Sequence, residues 1–497
     1  MGVAKPIRKI CLIQPEQPFP NMLPKTFVVM PRYGIPLIAT ILKKAGYEVT
    51  LFVEEIRPIN WDILMGADVI AFHALTCAMG RMKRIIEQIR MKSSAPIIVG
   101  GEHATYFPES VLRVADYVVR QEGDETILDL LDALATGRDV ETVAGVTFKR
   151  DGKTVTTPDR PAVKEIETVV DLSTIHGWKE AYTHKGVPWP LMTVQTTRGC
   201  LFGCKFCPVQ AMFGKGYRKR SIDSVIADLK DKLQYTRDVM IVDNLFEGDA
   251  KRTEELLKRI IAEGMKPSLT VFCRNTVSKN SALLRLMKEA GVSTIFVGVE
   301  SLNQKSLDHA DKRQSVEQVH QAIRTIQKHG IRVLASMIMG FDTDTVESLT
   351  ATREMLQEWG IAQMCIFALW GAYPHNGELL IPPDRWIFRD WGYANGNFVN
   401  HFPLNMKPST LQRQIIQTYD EVLNPKHSVK DFLRGKIDNA KWRLFFHKSW
   451  QGTRPDMLEY ITWLEEMEGP YYDEKEKLRL EKLAGRPDLE WVHYHLQ

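Results

Sequence analysis

The stretch "TTRGCLFGCKFCPVQ", residues 196–210, places Cys200, Cys204 and Cys207 on one short segment, and no fourth cysteine follows them there. A [4Fe–4S] cluster is normally held by four cysteines, and structural zinc sites are closed by four protein ligands. Three thiols on one loop therefore predict a cluster with one iron atom open to a ligand that the protein does not supply. Two other interpretations stay open at this point: a catalytic zinc site, which also keeps a free position, and a purely structural trio of cysteines.

The segment that carries these cysteines opens a repeated alternation of strands and helices. From Leu191 onward there are six strand-like apolar runs, "LMTVQTT", "DVMIVDN", "SLTVFCR", "TIFVGVES", "RVLASMIMG" and "QMCIFALW". A helix predicted between the fourth and fifth runs begins with the capping-box pair Ser315 and Gln318 and ends at Gly330. Six units are too few to close an eight-fold barrel. We therefore predict a partial (β/α)6 barrel with the cysteine loop at the carboxyl end of its first strand.

Residues 7–137 show a separate alternation of the same kind. The runs "ICLI", "EVTLFV", "DVIAFHA", "APIIVGG" and "YVVR" indicate five buried parallel strands. The first helix, "GIPLIATILKKAG", is expected to end at Gly46. The pattern predicts an open Rossmann-like sheet that binds ligands at the carboxyl ends of its strands. A β-hairpin that turns at Asp151 and Gly152 follows.

The predicted fold class is α/β with a helical C-terminal cap, in four segments. These are the Rossmann-like domain (1–140), the hairpin and linker (141–187), the partial barrel (188–371) and the helical domain (372–497). The last segment loses the βα alternation, and three amphipathic helices are predicted there, over "LQRQIIQTYDEVL", "VKDFLRGKIDNAKWRLFFHKSW" and "DMLEYITWLEEMEG".

Composition excludes several classes of protein. The formal net charge of the 497 residues is only +4, so neither nucleic acid nor an anionic membrane is indicated as an obligatory partner. No apolar run approaches the ~20 residues of a membrane helix, and no secretory leader is expected. The seven cysteines are an odd number with three clustered, which does not fit the disulfide framework of a secreted protein. We expect a cytoplasmic protein with no integral membrane segment and no nucleic-acid partner.

The Cys-x3-Cys-x2-Cys loop after the first strand of a βα barrel resembles that of the radical S-adenosylmethionine enzymes. The resemblance implies a [4Fe–4S] cluster on Cys200, Cys204 and Cys207, whose open iron binds S-adenosylmethionine and cleaves it to a 5′-deoxyadenosyl radical. It also implies that Phe206, before the third cysteine, packs beside the adenine.

Later segments are similar to the same family, although each motif is weak alone. The resemblance implies contacts to the methionine moiety, the ribose and the adenine from three pairs of residues: Asp243 and Asn244, Glu300 and Ser301, and Ile338 and Gly340. Ser336 and Thr343 replace the usual glycine and glutamate of the adenine motif. Taken by itself, each carboxylate is as readily a solvated strand end or a helix cap. Arg274, at the end of the third strand, is a candidate contact for a carboxylate.

The N-terminal sheet resembles the cobalamin-binding domain of cobalamin-dependent radical enzymes. The resemblance implies cobalamin contacts from loops at one sheet edge, which carry Thr76, Gly100, Gly101, Glu102, His103, Glu122 and Gly123. The Asp-x-His-x-x-Gly signature of a lower cobalt ligand is absent, which leaves cobalamin with water or no protein ligand below. A hydrogen-bonding role is expected for His103.

The segments "GFDTD" and "RDWGYANGNFVNHFPLNMKPSTLQ" and the helical tail resemble the branch with hopanoid methylases, archaeal lipid ring-forming enzymes and, more distantly, the anaerobic magnesium-protoporphyrin ester cyclase. This implies methylation of an unactivated carbon of a small-molecule or lipid-like substrate, with reduced ferredoxin or flavodoxin as electron donor. One S-adenosylmethionine supplies the methyl group through cobalamin and a second supplies the radical. The alternatives are a radical cyclase or carbon–carbon bond-former and, in another class, a non-catalytic cobalamin or redox sensor. The segment "YPHNG" (373–377) departs from the branch near the expected substrate mouth.

Overall fold

A computed structural model describes residues 6–19, 32–183, 191–371, 373, 378–387 and 389–471. The "YPHNG" segment, except Tyr373, and the end of the predicted linker (184–187) lie outside these residues. The chain divides into two compact units, Met1–Pro18, Lys25–Gly199 and Val209–Thr236 forming the first, and Phe19–Pro24, Cys200–Pro208 and Arg237–Gln497 the second. Among the described residues, no helix is both long and apolar enough to cross a membrane.

The first unit is built on a seven-stranded sheet of order β2-β1-β3-β4-β5-β6-β7. Its strands are β1 Lys9–Gln14, β2 Glu48–Val53, β3 Val69–His73, β4 Ile97–Gly100, β5 Tyr117–Val119, β6 Val146–Arg150 and β7 Lys153–Thr156. Its helices are α1 Gly34–Lys44, α2 Trp61–Met65, α3 Met79–Arg90, α4 Glu102–Tyr106, α5 Pro108–Val111, α6 Gly123–Thr136 and α7 Trp178–Thr183. The five predicted parallel strands are all present, and their apolar runs are buried as parallel strands require.

The hairpin extends this sheet, so the prediction of a five-stranded sheet was wrong. Strand β6 pairs antiparallel with β5, and β7 pairs antiparallel with β6. Asp151 (φ 50°) and Gly152 (φ 76°) form the turn, as the Asp-Gly pair predicted. The hairpin strands carry fewer apolar residues than β1–β5 because Lys149, Arg150 and Lys153 face solvent at the sheet edge.

The first unit also contains the segments on either side of the cysteine loop. They are β8 Met192–Val194, β9 Thr197–Arg198, α8 Val209–Phe213, β10 Arg218–Lys219 and α9 Ile222–Lys232. Strands β9 and β10 pair antiparallel, with Arg198 opposite Arg218. Strand β8 is the first of the six strands predicted for the barrel.

The second unit contains the other five barrel strands, parallel and in the order β15-β14-β13-β12-β11. The elements are β11 Asp238–Ile241, α10 Ala250–Ala262, β12 Ser268–Cys273, α11 Ser281–Glu289, β13 Val292–Glu300, α12 Gln304–His309, α13 Val316–Lys328, β14 Arg332–Met339, α14 Val346–Glu358 and β15 Met364–Ala368. The α/β class and the parallel half-barrel are confirmed, and the capping box of Ser315 and Gln318 is formed at the start of α13.

The helical region differs from its prediction in where the helices break. The helices are α15 Pro408–Val422, α16 Pro425–Leu433 and α17 Ile437–Tyr471. The second predicted helix is interrupted at Gly435 (φ 73°), a left-handed conformation that glycine tolerates at a helix end. The third predicted helix is no separate element, because α17 continues through Pro455 to Tyr471.

Candidate active site

The cysteine loop is held by backbone bonds within the second unit. Cys204 is buried, and Cys200 and Cys207 are half-buried. The Cys207 N–H donates to the Cys204 carbonyl at 3.0 Å, and the Lys205 N–H donates to the Ala310 carbonyl at 3.3 Å. Within the described residues, no three His, Cys, Asp or Glu side chains converge on a single-ion site. A cluster does not require such convergence, because each cysteine binds a different iron atom.

Two cations lie beside this loop. Arg274, the residue after β12, places Nη1 3.6 Å from Cys204 Sγ, and its guanidinium carbon lies 3.9 Å from the ring centroid of Phe202. Arg274 Nη2 donates to the Lys312 carbonyl at 2.7 Å, and Lys312 Nζ lies 5.7 Å from the ring centroid of Phe206. These contacts bring positive charge to a loop whose thiolates would be negatively charged when they bind iron.

The end of β13 carries a buried ion pair on strained backbone. Glu300 has φ 65°, a left-handed conformation that is uncommon outside glycine and that often marks functional sites. Its Oε1 accepts a hydrogen bond from Lys312 Nζ at 2.6 Å, and the two side chains are 9% and 6% exposed. A Cβ at Gly298 would lie 2.4 Å from Glu300 Oε1 and 2.9 Å from Lys312 Nζ. A side chain at position 298 would therefore displace the pair from this geometry. Ser301 is buried beside it, and its hydroxyl accepts from the Asn303 N–H at 3.0 Å.

The turn after β14 is organised by Asp344, a residue that the sequence analysis missed. Gly340 has φ 108°, and Asp344 Oδ2 accepts from the Gly340 and Phe341 N–H groups at 3.0 and 3.1 Å. Asp344 Oδ1 accepts from Ser306 Oγ at 2.7 Å. Burial raises the pKa of this carboxyl, and the hydrogen bonds oppose the rise. Asp344 thus supplies a buried carboxylate next to position 343, where the adenine motif usually has a glutamate and this chain has Thr343. The signal in the sequence was an acidic residue one position further along.

His401 supports the same turn from the helical region. Its Nε2 lies 2.9 Å from the Gly340 carbonyl, and a Cβ at Gly340 would come within 3.0 Å of His401 Cε1. Burial lowers the pKa of His401 to about 4, so the ring is neutral at pH 7. No pattern linked a residue this far along the chain to strand β14.

Asp243 and Asn244 follow β11, as predicted, and Asp243 is buried. Glu247, which the sequence analysis did not single out, lies three residues further on. Its Oε1 accepts from the Arg274 N–H at 2.8 Å, Oε2 is buried, and the Cys273 thiol is hydrogen-bonded to the same carboxyl group. Burial raises the pKa of Glu247 to about 7.

Apolar side chains adjoin the loop. Phe206 and Ile338 pack against a buried cluster of Ala310, Phe341, Leu369 and Ile381. The Phe206 and Phe341 rings meet edge to face, with centroids 6.3 Å apart. Phe206 and Ile338 therefore share one apolar cluster, and Gly340 directly follows the end of β14.

The predicted cobalamin edge lies in the first unit, at the carboxyl ends of β3 and β4. Gly100 ends β4, and Gly101 has φ 104°. A Cβ at Gly101 would lie 3.0 Å from both the Ala74 carbonyl and His73 Cδ2, so only glycine fits this turn. Burial lowers the pKa of His73 to about 3.

Thr76 and His103 are joined at this edge. His103 is fully buried, with Nδ1 3.3 Å from Thr76 Oγ1 and Nε2 2.8 Å from Ser110 Oγ. Burial lowers the pKa of His103 to about 3. Both ring nitrogens are engaged, consistent with the hydrogen-bonding role expected from the sequence. Glu102 lies in the first turn of α4, beside His103.

Glu122 is bound by arginines. Its Oε1 accepts from Arg198 Nη1 at 2.7 Å, and its Oε2 accepts from Arg218 Nη1 at 2.6 Å and from the Val163 N–H at 3.0 Å. Glu122 and Arg198 are each 5% exposed. Gly123 begins α6, where a Cβ would lie 3.3 Å from Ile38 Cδ1. The ion pairs, which no sequence pattern indicated, tie the residue before α6 to the β9–β10 pair.

Two family models match the chain. The Radical SAM superfamily model covers residues 194–356, and the B12 binding domain model covers residues 25–131. An uncharacterised methyltransferase of Pyrococcus horikoshii is 30% identical over 382 residues, which are 73% of this chain and 80% of that protein. The anaerobic magnesium-protoporphyrin IX monomethyl ester cyclase of Rubrivivax gelatinosus is 27% identical, over 77% of this chain and 71% of that protein.

A less similar relative and a solved structure also match the chain. The hopanoid C-3 methylase of Methylococcus capsulatus is 24% identical, over 69% of this chain and 66% of that protein. Among solved structures, a radical S-adenosylmethionine methyltransferase from Kitasatospora setae with cobalamin and a [4Fe–4S] cluster bound superposes with a TM-score of 0.62. It is 18% identical and the match covers 75% of this chain and 74% of that chain, a likeness of fold.

Proposed function

The chain belongs to the cobalamin-dependent radical S-adenosylmethionine enzymes, and on that premise we propose that it methylates an unactivated carbon of a small, lipid-like substrate. One observation carries the proposal: the chain joins a B12-binding segment to a radical segment that contains the three-thiol loop. Methyl transfer to an unactivated carbon needs both a radical source and a methyl carrier, and the two segments provide for both.

Cys200, Cys204 and Cys207 would hold the [4Fe–4S] cluster as thiolates and leave one iron for S-adenosylmethionine. The donor set fits, because thiolates are the usual ligands of such clusters. Arg274, 3.6 Å from Cys204 Sγ, places a cation where the thiolates would bring negative charge. Hydrogen bonds to the sulfur atoms of an iron–sulfur cluster raise the reduction potential of that cluster.

S-adenosylmethionine would lie along the carboxyl ends of the barrel strands. We assign the methionine moiety to Asp243 and Asn244, the ribose to Glu300 and Ser301, and the adenine to Phe206, Ile338 and Gly340. Three features support this: the ion pair that fixes Glu300, the Asp344 bonds that fix the turn at Gly340, and the apolar cluster around Phe206.

Cobalamin would bind at the edge formed by Thr76, Gly100, Gly101, Glu102 and His103. The Ala74 carbonyl and the His73 ring occupy the space of the missing Cβ at Gly101, so this glycine fixes the turn at that edge. Both nitrogens of His103 are bonded within the protein, so His103 positions this edge. In the same way, Glu122 is a positioning residue, because its carboxylate binds two arginines.

When bound, these groups supply an electron, an adenosyl radical and a methyl carrier. The chain's own residues bind and orient these groups and exclude water from the site. The Lys312 ammonium fixes the Glu300 carboxylate, and Phe206 and Phe341 cover one side of the site with apolar surface. Glu247 Oε2 is a carboxyl oxygen able to hold or release a proton near neutral pH.

The substrate class, the electron donor and the location of the enzyme are parts of the same proposal. The hopanoid methylase by its name acts on a lipid and the ester cyclase on a tetrapyrrole, and both substrates have large apolar frameworks. We propose a substrate of that kind, a reduced ferredoxin or flavodoxin as donor, and a cytoplasmic location. A nucleic-acid substrate is not part of the proposal.

Anaerobic turnover with methyl-labelled S-adenosylmethionine and a lipid extract tests this function. Each methylated product should appear with one S-adenosylhomocysteine and one 5′-deoxyadenosine, since one S-adenosylmethionine gives its methyl group and another its adenosyl group. A Cys204→Ala protein should no longer form deoxyadenosine. The matched control, Cys365→Ala, changes a cysteine outside the loop and should still form it. Label transfer that persists in Cys204→Ala would contradict the proposal.

The alternative is a radical cyclase or carbon–carbon bond-former, which the similarity to the ester cyclase favours. That function predicts deoxyadenosine without S-adenosylhomocysteine and no labelled methyl group in the product. The same mass spectrometric measurement therefore separates the two functions.

A further inference from the structure

The tip of the helical hairpin formed by α16 and α17 exposes a group of large apolar side chains. Val429, Phe432 and Leu433 on α16 are 59%, 62% and 78% exposed, and Ile437 and Leu444 on α17 are each 48% exposed. Residues three and four apart lie on one helix face, so the three α16 side chains share a face, while Ser428 and Asp431 face inward. We call these five apolar residues the hairpin tip. Large exposed apolar side chains grouped on neighbouring helices in this way are a candidate interaction surface.

The turn that joins the helices is compact and its base is anchored. The Gly435 N–H donates to the Phe432 carbonyl at 2.9 Å, and the Lys436 N–H donates to the Asp431 carbonyl at 2.9 Å. Asp431 pairs with Arg443 at 3.1 Å, and Arg443 Nη1 also donates to the Ile361 carbonyl at 2.8 Å. The hairpin tip is therefore held outward by a buried ion pair at its base.

Basic side chains surround the hairpin tip. Residues 426–444 contain six basic and two acidic side chains, a net charge of +4, which equals the formal charge of the whole chain. The exposed cations are Lys426, Lys430, Arg434, Lys436 and Lys441. Of the two acidic residues, Asp431 is buried against Arg443, so Asp438 is the exposed one.

We propose that the hairpin tip docks on an anionic lipid surface. Apolar side chains flanked by lysine and arginine are the pattern of helices that lie in a membrane interface, with the apolar face in the acyl boundary and the cations among the headgroups. The charge complementarity selects this occupant over an uncharged apolar partner, since each basic residue near an anionic surface adds to the binding. The protein would bind the membrane surface peripherally, through the hairpin tip. This contact is independent of the reaction that the enzyme catalyses.

Vesicle co-sedimentation of the full-length, anaerobically reconstituted protein tests the proposal without S-adenosylmethionine. The wild type should bind vesicles of phosphatidylcholine with about 30% phosphatidylglycerol at least about tenfold more tightly than phosphatidylcholine alone. Binding should weaken when NaCl is raised from about 0.1 M to about 0.5 M. Because no cofactor reaction is measured, failure here leaves the proposed function standing.

Two matched pairs of variants locate the contact. Phe432→Ser with Leu433→Ser should lower the vesicle affinity about tenfold or more, whereas Met91→Ser, at a side chain 75% exposed elsewhere, should leave it unchanged. Lys430→Glu with Lys436→Glu should abolish the preference for anionic vesicles, whereas Lys251→Glu with Lys258→Glu should keep it.

Three outcomes would overturn the proposal. The first is equal binding to neutral and anionic vesicles without salt dependence. The second is unchanged binding of the Phe432→Ser/Leu433→Ser protein with a native circular dichroism spectrum. The third is no vesicle binding together with a concentration-dependent dimer in sedimentation velocity that this variant abolishes, which would assign the hairpin tip to a second copy of the chain.

Discussion

Glu300 shows how one residue of the site depends on its neighbours. Its left-handed backbone (φ 65°) costs conformational energy, and the ion pair with Lys312 holds the side chain in place. The sequence indicated Glu300 through its resemblance to the radical S-adenosylmethionine family, at the end of a predicted strand. No sequence pattern indicated Lys312, because the ion pair between Glu300 and Lys312 depends on how the loop after α12 folds back to β13.

The Gly298→Ala substitution tests this arrangement. The added methyl group would lie 2.4 Å from Glu300 Oε1, so the ion pair must move or break. We expect a loss of about 1–3 kcal/mol in the free energy of unfolding and a raised KM for S-adenosylmethionine. Urea unfolding and steady-state kinetics measure the two effects.

Gly80→Ala is the matched control, since a Cβ there meets nothing within 4 Å. In helix α3 it should be neutral or stabilise by about 0.5–1 kcal/mol. A Gly298→Ala protein as stable as Gly80→Ala would show that the ion pair does not fill this space.

Glu122→Gln tests the buried ion pairs of the first unit. Removing the carboxylate charge leaves the Arg198 and Arg218 guanidinium groups without their shared partner. Because Arg198 keeps Asp124 at 3.0 Å, we expect a loss of about 1–3 kcal/mol, the cost of buried polar groups left unsatisfied. Chemical denaturation should show this loss. Glu141→Gln, at the half-exposed pair with Arg150, should change stability by less than about 1 kcal/mol, and equal effects of the two substitutions would contradict the account.

The candidate site was predictable where local spacing determines it. Cys200, Cys204 and Cys207 follow from one motif, and Ser301 and Gly340 were implied by the family resemblance at the ends of predicted strands. Glu247 and His401 were missed because their roles arise from long-range packing: His401 reaches Gly340 from 61 residues away in the chain. Asp344 was missed although its bonds to the Gly340 and Phe341 N–H groups are local, because the adenine motif places its acidic residue at position 343. Glu122 was found by resemblance, but its partners Arg198 and Arg218 were not, since β9 and β10 are only two residues long each.

At the scale of the elements, capped helices were the most predictable. The helix α13 begins and ends where Ser315 and Gly330 indicated. The helices α16 and α17 were misjudged for opposite reasons. Gly435 ends α16 inside what looked like one amphipathic helix, whereas Pro455 does not end α17, because tertiary packing overrides a local helix breaker.

Ser315→Ala tests the cap of α13. The Ser315 hydroxyl accepts from the Gln318 N–H, and the Gln318 side chain accepts from the Ser315 N–H. Loss of the hydroxyl should cost about 1 kcal/mol, measured by thermal or urea unfolding. Ser94→Ala, at an exposed position outside any helix, should cost less than about 0.5 kcal/mol. An equal effect would show that the cap does not stabilise the helix.

At the scale of the whole molecule, three histidines with lowered pKa values predict acid sensitivity. Burial lowers the pKa values of His73 and His103 to about 3 and of His401 to about 4, below the ~6.5 of an unfolded histidine. Between pH 6.5 and those values the unfolded chain binds more protons than the folded chain, so stability falls as pH falls. Each histidine contributes up to about 1.4 kcal/mol per pH unit in this window.

Urea unfolding between pH 7 and pH 5 measures this dependence. His103→Asn should have a shallower slope than the wild type, because one of the three groups is removed. A slope that does not change in His103→Asn would show that His103 is not held neutral in the folded protein.

The most direct test of the central claim is the iron content of the anaerobically reconstituted protein, measured together with its cleavage of S-adenosylmethionine under dithionite. The account predicts about four iron atoms per chain and formation of 5′-deoxyadenosine, with both lost in Cys204→Ala and kept in Cys365→Ala. An iron-free wild-type protein, or undiminished deoxyadenosine formation by Cys204→Ala, would contradict it.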